Sequence, residues 1–480
     1  MMQARLLLIG FAAPVVPGWF IVRCILPSMP SRVLVALTAF PVGVSFLTVS
    51  LFLLHWLGMP ITHINAVGVY MGLTAITYAL WRRLREPARI IPETGMLTNA
   101  GSSILSGIFI AGIIATLAMH FCASLSEPVV CRPGVAIWDY KACMIALDHA
   151  IPFAALTDPD RSYMQPRYPL EYPLFLAWLY GWTGTVDTMA IKLVPPLLAS
   201  LLALALYTIL TTNGLRRDLA GMMTLVVVSG STYHMCAVTM YAEHLLFLHV
   251  LLGMYYLAQA LSDEYPQRQC LLGGILLASS AWVKNEGTIY IGAAAFSWML
   301  VRTFSRPPTT WAFQNPGNGT ICESLAERRS QTIKGIALIL LPLLFMVLPW
   351  QILLARLEVT VSDFSLASAA FGSWEIFLNR SRLIWTACMR SVTPIFVLAG
   401  TLLAYRAIIE WFRVVDCKKH MFHLVTGISV VLGLSGCFYF SALGIERHLL
   451  TMPRIFLGVL FCCLSAYSMA IHHCFVAPRN

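Results

Sequence analysis

The sequence predicts an all-α polytopic membrane protein, and composition and length together support that fold class. Of 480 residues, 58% are apolar and only 11% are Asp, Glu, Lys or Arg. A soluble domain carries roughly 25% charged residues, so this chain has too few charges to cover a water-exposed surface. At about 20 residues per span, thirteen membrane-spanning helices would use roughly 260 residues, which is close to the apolar total. The high apolar content and the lack of a short repeat exclude disordered, collagen-like and coiled-coil chains.

Thirteen apolar runs are candidate membrane-spanning helices. The first is predicted to be retained rather than cleaved, because Pro14 and Pro17 interrupt it and further apolar runs follow at once. Residues 1–100, with about three spans, are predicted to form an N-terminal transmembrane extension, and residues 101–480 to form the transmembrane core. The thirteen runs are 6–22, 33–57, 64–80, 103–122, 189–210, 219–238, 241–260, 270–283, 288–303, 334–355, 391–410, 421–442 and 453–473.

The segment 170–183 is apolar but only about 14 residues long, which suits an interfacial or re-entrant helix better than a span. We predict that it lies at the outer membrane interface. With that placement, the arginine cluster at 82–89, Arg216–Arg217 and Lys418–Lys419 all face the cytoplasm, as the positive-inside rule requires. The expected location is a bacterial inner membrane, with juxtamembrane helices on the outer face. The two long outer loops are 123–188 and 356–390.

The net charge of +10 is compatible with contacts to membrane lipids or to an anionic substrate. No soluble segment carries a basic stripe with interleaved aromatic residues, so we predict no nucleic-acid partner. Cys122, Cys131 and Cys143 cluster around the first outer loop. They are compatible with a disulfide in an oxidising compartment and equally with three unpaired thiols, and the sequence leaves both open.

Asp139 is the first candidate for chemistry. It lies between Trp138 and Tyr140, soon after the chain leaves the span at 103–122. A carboxylate held beside aromatic rings at a membrane edge is partly desolvated, which raises its pKa and suits it to act as a base. The alternative is a solvated aspartate in a loop.

Glu171 and Arg167 lie further along the same outer loop. Pro169 and Pro173 stiffen the backbone on either side of Glu171 and would help to direct its carboxylate. The alternative is a helix-start acid favoured by the helix dipole. Arg167 is a candidate phosphate ligand, because a guanidinium offers paired hydrogen bonds. Its alternative role is simply to keep an exposed loop soluble.

Further ionisable residues stand where apolar runs begin or end on the predicted outer side. Such residues are costly in a membrane and are therefore informative, although side chains that snorkel to the interface would occupy similar positions. His244 and His249 are five residues apart, a poor spacing for a metal on one helical face, so we predict that neither is a metal ligand. The other residues of this kind are Glu243, Lys284, Glu286, Arg447 and His448.

These motifs together resemble the GT-C class of membrane glycosyltransferases. The pattern is most similar to the family-39 branch, which includes protein mannosyltransferases and bacterial aminoarabinose transferases. Asp139 stands where that family has its catalytic acid, although many members have an Asp-Glu pair there. Tyr172 replaces a lysine that some relatives direct at the donor phosphate. The other similar motifs are Glu171-Tyr172-Pro173-Leu174, Tyr241-Ala242-Glu243, Lys284-Asn285-Glu286-Gly287 and Arg447-His448-Leu449-Leu450.

The resemblance implies an inverting transfer of a sugar from a polyprenyl-phosphate donor to a lipid, glycan or protein acceptor at the outer membrane face. It implies that Asp139 and Glu171 are catalytic. No cofactor is certain; a divalent cation is possible, because these two acids could hold one. The implied substrate-binding residues are Trp138, Tyr140, Arg167, Tyr172, Glu243, Lys284, Glu286, Arg447 and His448.

Two other functions are left open by the sequence. A transporter or flippase for a lipid-linked or anionic solute would place substrate-binding charges near the bilayer midplane. A glycan polymerase or ligase would need a large outer loop with paired arginines. Segment 356–390 satisfies that requirement with Arg380, Arg382 and Arg390.

Overall fold

A computed structural model describes residues 2–27, 31–84, 103–126, 134–261, 266–304, 325–359, 421–422 and 425–430. These residues form helices joined by short connections and include no strand, which confirms the predicted all-α class. The first nine helices are α1 (Met2–Ala12), α2 (Val15–Ile25), α3 (Arg32–Trp56), α4 (His63–Leu84), α5 (Ser103–Ser126), α6 (Tyr140–Asp148), α7 (Phe153–Thr157), α8 (Glu171–Thr183) and α9 (Thr188–Ile191). The next nine are α10 (Val194–Thr212), α11 (Arg217–Val228), α12 (Ser231–Val238), α13 (Glu243–Ala260), α14 (Gln267–Val283), α15 (Gly287–Phe304), α16 (Leu325–Leu340), α17 (Pro342–Met346) and α18 (Leu348–Arg356).

Six helical stretches within the described residues are long and apolar enough to cross a membrane. A seventh results if α11 and α12, which are bent by 66° relative to each other, form one broken span. The chain is thus compatible with a multi-pass integral membrane protein. The predicted run 219–238 is two helices rather than one straight span. The count of thirteen stays a prediction, because the runs 391–410, 421–442 and 453–473 lie wholly or largely outside the described residues.

Helix α3 lies at the centre of the described bundle and packs against α2, α8, α10, α13 and α14. It crosses α2 with direct backbone contact. A Cβ atom on Gly18 would overlap the carbonyl of Ala39, and a Cβ atom on Gly43 would overlap the carbonyl of Pro14. Small residues of this kind allow membrane helices to approach closely and gain dispersion energy. Whether residues 1–100 form a separate extension stays a prediction, but α3 packs directly on helices of the predicted core.

Helix α8 covers nearly all of the short apolar segment 170–183, and other helices bury it. Nearly all of its residues are buried, and it packs against α1, α3, α4, α6 and α14. A helix lying on a bilayer surface would expose one face to solvent or headgroups, and α8 exposes none. The helix is therefore enclosed by protein, and its predicted place at the outer membrane interface stays a prediction.

The helix ends that carry the candidate residues meet at one end of the bundle. Phe52 near the end of α3 packs against Trp282 near the end of α14, with ring centroids 5.5 Å apart. Helices α13 and α15 begin at the same level, where Glu243 contacts Lys284. We call this the outer end, because the predicted orientation places it outside. The described part of the loop 123–188 covers it.

Candidate active site

Asp139 ends a π-helical turn, Gly134–Asp139, that leads directly into α6. Its side chain is buried, and Oδ1 accepts a hydrogen bond of 2.6 Å from the Tyr180 hydroxyl and a weaker one from the Cys143 thiol. Burial raises the pKa of Asp139, and the hydrogen bonds from Tyr180 and Cys143 partly offset that rise. The carboxylate is therefore desolvated, as its aromatic neighbours in the sequence predicted.

Trp138, the chain neighbour of Asp139, packs against the start of α8 and the segment just before it. Its ring is buried and packs edge-on against Tyr168 and Tyr172, with centroid distances of 5.5 and 6.0 Å. Tyr172 is fully buried, and its hydroxyl has no hydrogen-bond partner among the described residues. Tyr140 turns to the other side, where its ring lies 6.5 Å from that of Tyr163. Trp138 thus packs against Tyr168 and Tyr172, whereas Tyr140 packs near Tyr163.

Lys284 is the centre of a charged cluster at the outer end. Its Nζ atom lies 3.4 Å from Glu243 Oε1 and 3.3 Å from Glu286 Oε1. It also lies 5.7 Å from the centroid of the Tyr168 ring, and the Tyr168 hydroxyl donates to Glu286. Because α13 begins at Glu243 and α15 begins just after Glu286, the fold holds both acids around a single lysine. The cluster carries one negative charge in excess when both acids are ionised.

Asp139 and Lys284 therefore belong to one connected region. The connection runs from Asp139 to its neighbour Trp138, across to Tyr168, and on to Lys284. We name the group formed by Trp138, Tyr168, Glu243, Lys284 and Glu286 the outer-end cluster. Its members were separately predicted on the outer side, and the described structure brings them into contact.

Arg167 is exposed at the edge of this cluster. Its backbone carbonyl accepts hydrogen bonds from Asn285 Nδ2 and Trp350 Nε1, each at 3.4 Å. These contacts anchor the backbone while the guanidinium faces outward. Arg167 forms no ion pair with any residue in the described ranges, so its charge is free to meet a ligand.

Glu171 lies in a different environment from Asp139. It is fully buried, and its Oε1 atom contacts Ser45 Oγ at 2.9 Å and His249 Nε2 at 3.0 Å. The contacts do not support the predicted pairing of Asp139 with Glu171 around a cation. In the ranges that the structure describes, no group of three or more His, Cys, Asp or Glu side chains could hold a metal ion.

Several predicted residues lie outside the described residues, namely Arg447, His448, Cys131, Arg380, Arg382 and Arg390. Cys122 and Cys143 are both described as free thiols, so they do not form a disulfide with each other.

Two residues near Asp139 were missed by the sequence analysis. Tyr180 lies in an apolar helix whose sequence carries no sign that its hydroxyl contacts a carboxylate. Lys141 is fully buried, and its Nζ donates to the carbonyl of Gln165 at 2.9 Å. Burial lowers the pKa of Lys141 to about 7. The predicted helical spacing of residues 140–150 could have revealed that Lys141 lies on the same face as the buried Ile145.

A cavity of about 320 Å³ lies between the end of α3, the start of α4 and the C-terminal parts of α6 and α8. Tyr180 lines this cavity and also donates a hydrogen bond to Asp139, which is not itself a lining residue. The lining is largely apolar with a few polar side chains. The polar and aromatic lining residues are His63, His149, Trp178, Tyr180 and Thr185.

The described helices and their apolar composition are compatible with a multi-pass helical membrane protein, and Asp139 is a buried carboxylate within them. No family model, curated protein or solved structure matches this chain. The candidate function is therefore inferred from the site and from the motifs of the sequence.

Proposed function

We propose that this protein transfers a sugar from a polyprenyl-phosphate donor to an acceptor hydroxyl at the outer face of the membrane, with Asp139 as the general base. One observation carries the proposal. A buried carboxylate, bound to a tyrosine that lines a cavity, lies in the same region as a cluster of charged and aromatic side chains. Sugar transfer needs a base, a space for the acceptor and polar groups for the donor.

The proposed step is an inverting displacement. The acceptor hydroxyl gives its proton to Asp139 as its oxygen attacks the anomeric carbon, and the bond between that carbon and the phosphate oxygen breaks. Polyprenyl phosphate leaves with the bonding electron pair. Desolvation makes Asp139 a stronger base than an aspartate in water. The hydrogen bond from Tyr180 holds the carboxylate in one orientation.

The phosphate is assigned first to Arg167. Lys284 is already matched by Glu243 and Glu286, and these acids would repel a phosphate placed directly beside it. Arg167 has no such partner within the described residues and offers a forked donor to the leaving phosphate. Glu243 and Glu286 instead suit hydrogen bonds from sugar hydroxyls, because a carboxylate has two acceptor oxygens and each acid contacts Lys284 through Oε1. Trp138 supplies an aromatic wall, and Arg447 and His448 are further proposed donor ligands.

The decisive experiment measures transfer by purified protein from a panel of polyprenyl-phosphate sugars. We expect Asp139→Asn to lose about 100- to 10,000-fold in rate, the usual contribution of a side-chain base, and to keep donor binding. The matched control is Asp148→Asn, because Asp148 is an exposed acid at the end of the same helix, α6. Full activity of Asp139→Asn would remove this residue from the mechanism.

A transporter or flippase is the second candidate, and a specific observation favours it. The buried group of Glu171, His249 and Ser45 lies near the middle of α3, where a membrane transporter would keep ionisable groups. Movement of a lipid-linked solute across proteoliposomes, without sugar transfer, would decide for it. Transfer of a whole glycan in place of a single sugar would instead indicate a polymerase or ligase.

The proposed setting is a bacterial inner membrane, with a lipid, glycan or protein as acceptor. The +10 charge and the apolar helices suit contact with anionic membrane lipids.

A further inference from the structure

Three helices bring one polar residue each to a point in the interior of the bundle. Ser45 lies in the middle of α3, Glu171 begins α8, and His249 lies two turns into α13. All three side chains are fully buried. Nothing in the proposed sugar transfer uses them, because Glu171 makes no contact with Asp139 or with the outer-end cluster. A buried ionisable group inside a membrane protein indicates function by default.

The charge on this group is constrained by its surroundings. Among the described residues, His249 is the titratable side chain that contacts Glu171, and no lysine or arginine forms an ion pair with either. The next titratable residue on α8, Tyr172, is influenced by Asp139 and Glu243 instead. An apolar interior strongly disfavours a net charge. An ionised Glu171 beside a neutral His249 carries one negative charge. The pair is therefore neutral only when it binds one additional proton.

Ser45 allows that proton to occupy either residue without a movement of heavy atoms. Its Oγ lies 2.9 Å from the carbonyl oxygen of Pro41 and 2.9 Å from Glu171 Oε1. A hydroxyl has only one hydrogen, so it cannot donate fully to both. When Glu171 is ionised, Ser45 can donate to it. When Glu171 carries the proton on Oε1, that proton lies on the contact to His249 Nε2, and Ser45 can donate to the Pro41 carbonyl instead.

The atoms without partners decide which form is more stable. His249 Nδ1 and Glu171 Oε2 are buried and have no hydrogen-bond partner in the described part of the chain. An imidazolium would leave a charged N–H at Nδ1 unpartnered, and a carboxylate would leave a charged oxygen unpartnered. A lost hydrogen bond costs about 1–3 kcal/mol for a neutral group and more for a charged one. When Glu171 is a neutral acid and His249 a neutral imidazole, the two atoms without a hydrogen-bond partner are uncharged. This form therefore costs less free energy than the carboxylate beside an imidazolium.

We propose that Glu171 and His249 form a binding site for one exchangeable proton in the interior of the protein, with Glu171 holding it as a neutral carboxylic acid. Transfer moves the proton from Glu171 to His249 Nε2, which gives a carboxylate and an imidazolium with no change in total charge. The unpartnered Oε2 and Nδ1 atoms are where a water molecule could deliver or remove the proton. This site does not depend on the proposed sugar transfer.

Infrared spectroscopy of the purified protein in lipid nanodiscs tests the proposal. At neutral pH the wild-type protein should show the carbonyl stretch of a protonated carboxylic acid, and Glu171→Gln should lose that component. Asp148→Asn, at an exposed acid, should leave the spectrum of this region unchanged. Identical wild-type and Glu171→Gln spectra in this region would show that Glu171 is ionised and would overturn the proposal.

Thermal unfolding gives an independent measurement. Gln has nearly the shape of a neutral glutamic acid, so Glu171→Gln should unfold within a few degrees of wild type. A large loss of stability or a failure to fold would mean that the negative charge is required, which contradicts a neutral acid. Because neither measurement uses sugar transfer, failure here is distinct from loss of activity in Asp139→Asn.

Discussion

The Tyr180 hydroxyl donates a hydrogen bond of 2.6 Å to Asp139, joining the C-terminal part of α8 to the start of α6. The two residues are 41 positions apart in the chain. This bond lowers the pKa of Asp139, in opposition to the larger effect of burial. Tyr180 therefore helps to set the pH at which the proposed base is ionised.

Tyr180→Phe should shift the acidic limb of the pH–rate profile to higher pH. Removing the hydrogen bond raises the pKa of Asp139 further, and the base works only when ionised, so activity should appear at a higher pH than in wild type. The measurement is the rate of sugar transfer as a function of pH. Tyr163→Phe, at a partly exposed tyrosine on the same loop, is the control. A limb that stays in place or moves to lower pH would contradict the role given to Tyr180.

Lys284→Met should destabilise the protein by about 3–5 kcal/mol, the usual cost of removing one partner from a buried ion pair. The variant leaves Glu243 and Glu286 close together without their shared cation. Denaturant unfolding in detergent measures the loss. Adding Glu243→Gln to the variant should recover part of it, because one of the two uncompensated charges is then removed. Equal stability of the wild type and the single variant would show that the cluster contributes nothing.

Lys141 should make the stability of the protein depend on pH in the alkaline range. Its pKa is about 7 in the folded protein and 10.5 in its unperturbed form, so the unfolded chain binds the extra proton between these values. Stability should therefore rise with pH from about 7 towards 10.5. Melting temperatures across this range should show the rise in wild type, and Lys141→Met should reduce it. The same slope in both proteins would assign it to other groups.

Gly43→Ala should strongly destabilise the bundle, because the added methyl group would overlap the backbone of Pro14 and force α2 away from α3. Gly68→Ala on α4 is the matched control, since nothing lies within 4 Å of a Cβ atom there. Alanine favours a helix over glycine by about 1 kcal/mol, so the control should be neutral or slightly stabilised. Thermal unfolding compares the two. Similar melting temperatures would mean that α2 and α3 can separate at no cost.

Much of the fold could be predicted because the helices are encoded locally. The runs 33–57, 64–80, 270–283 and 288–303 each correspond closely to a described helix. Apolar length and the charged residues at each end are properties of neighbouring residues, so they can be read without knowledge of packing. Asp139 was also recognised from its local sequence, although its hydrogen-bond contacts are with Tyr180, 41 residues away, and Cys143.

The partners of buried side chains were decided only by the tertiary structure. The sequence placed Glu171 with Asp139 in one loop, yet Glu171 contacts Ser45 and His249, which are 126 and 78 residues away. The sequence also predicted a short helical segment at 170–183, and only the packing shows that other helices enclose it. Short helices can be enclosed or exposed with the same composition, and side chains on different helices meet only when the crossing geometry allows it. Local patterns therefore determined which segments are helical, whereas packing between distant helices determined which polar atoms share a site.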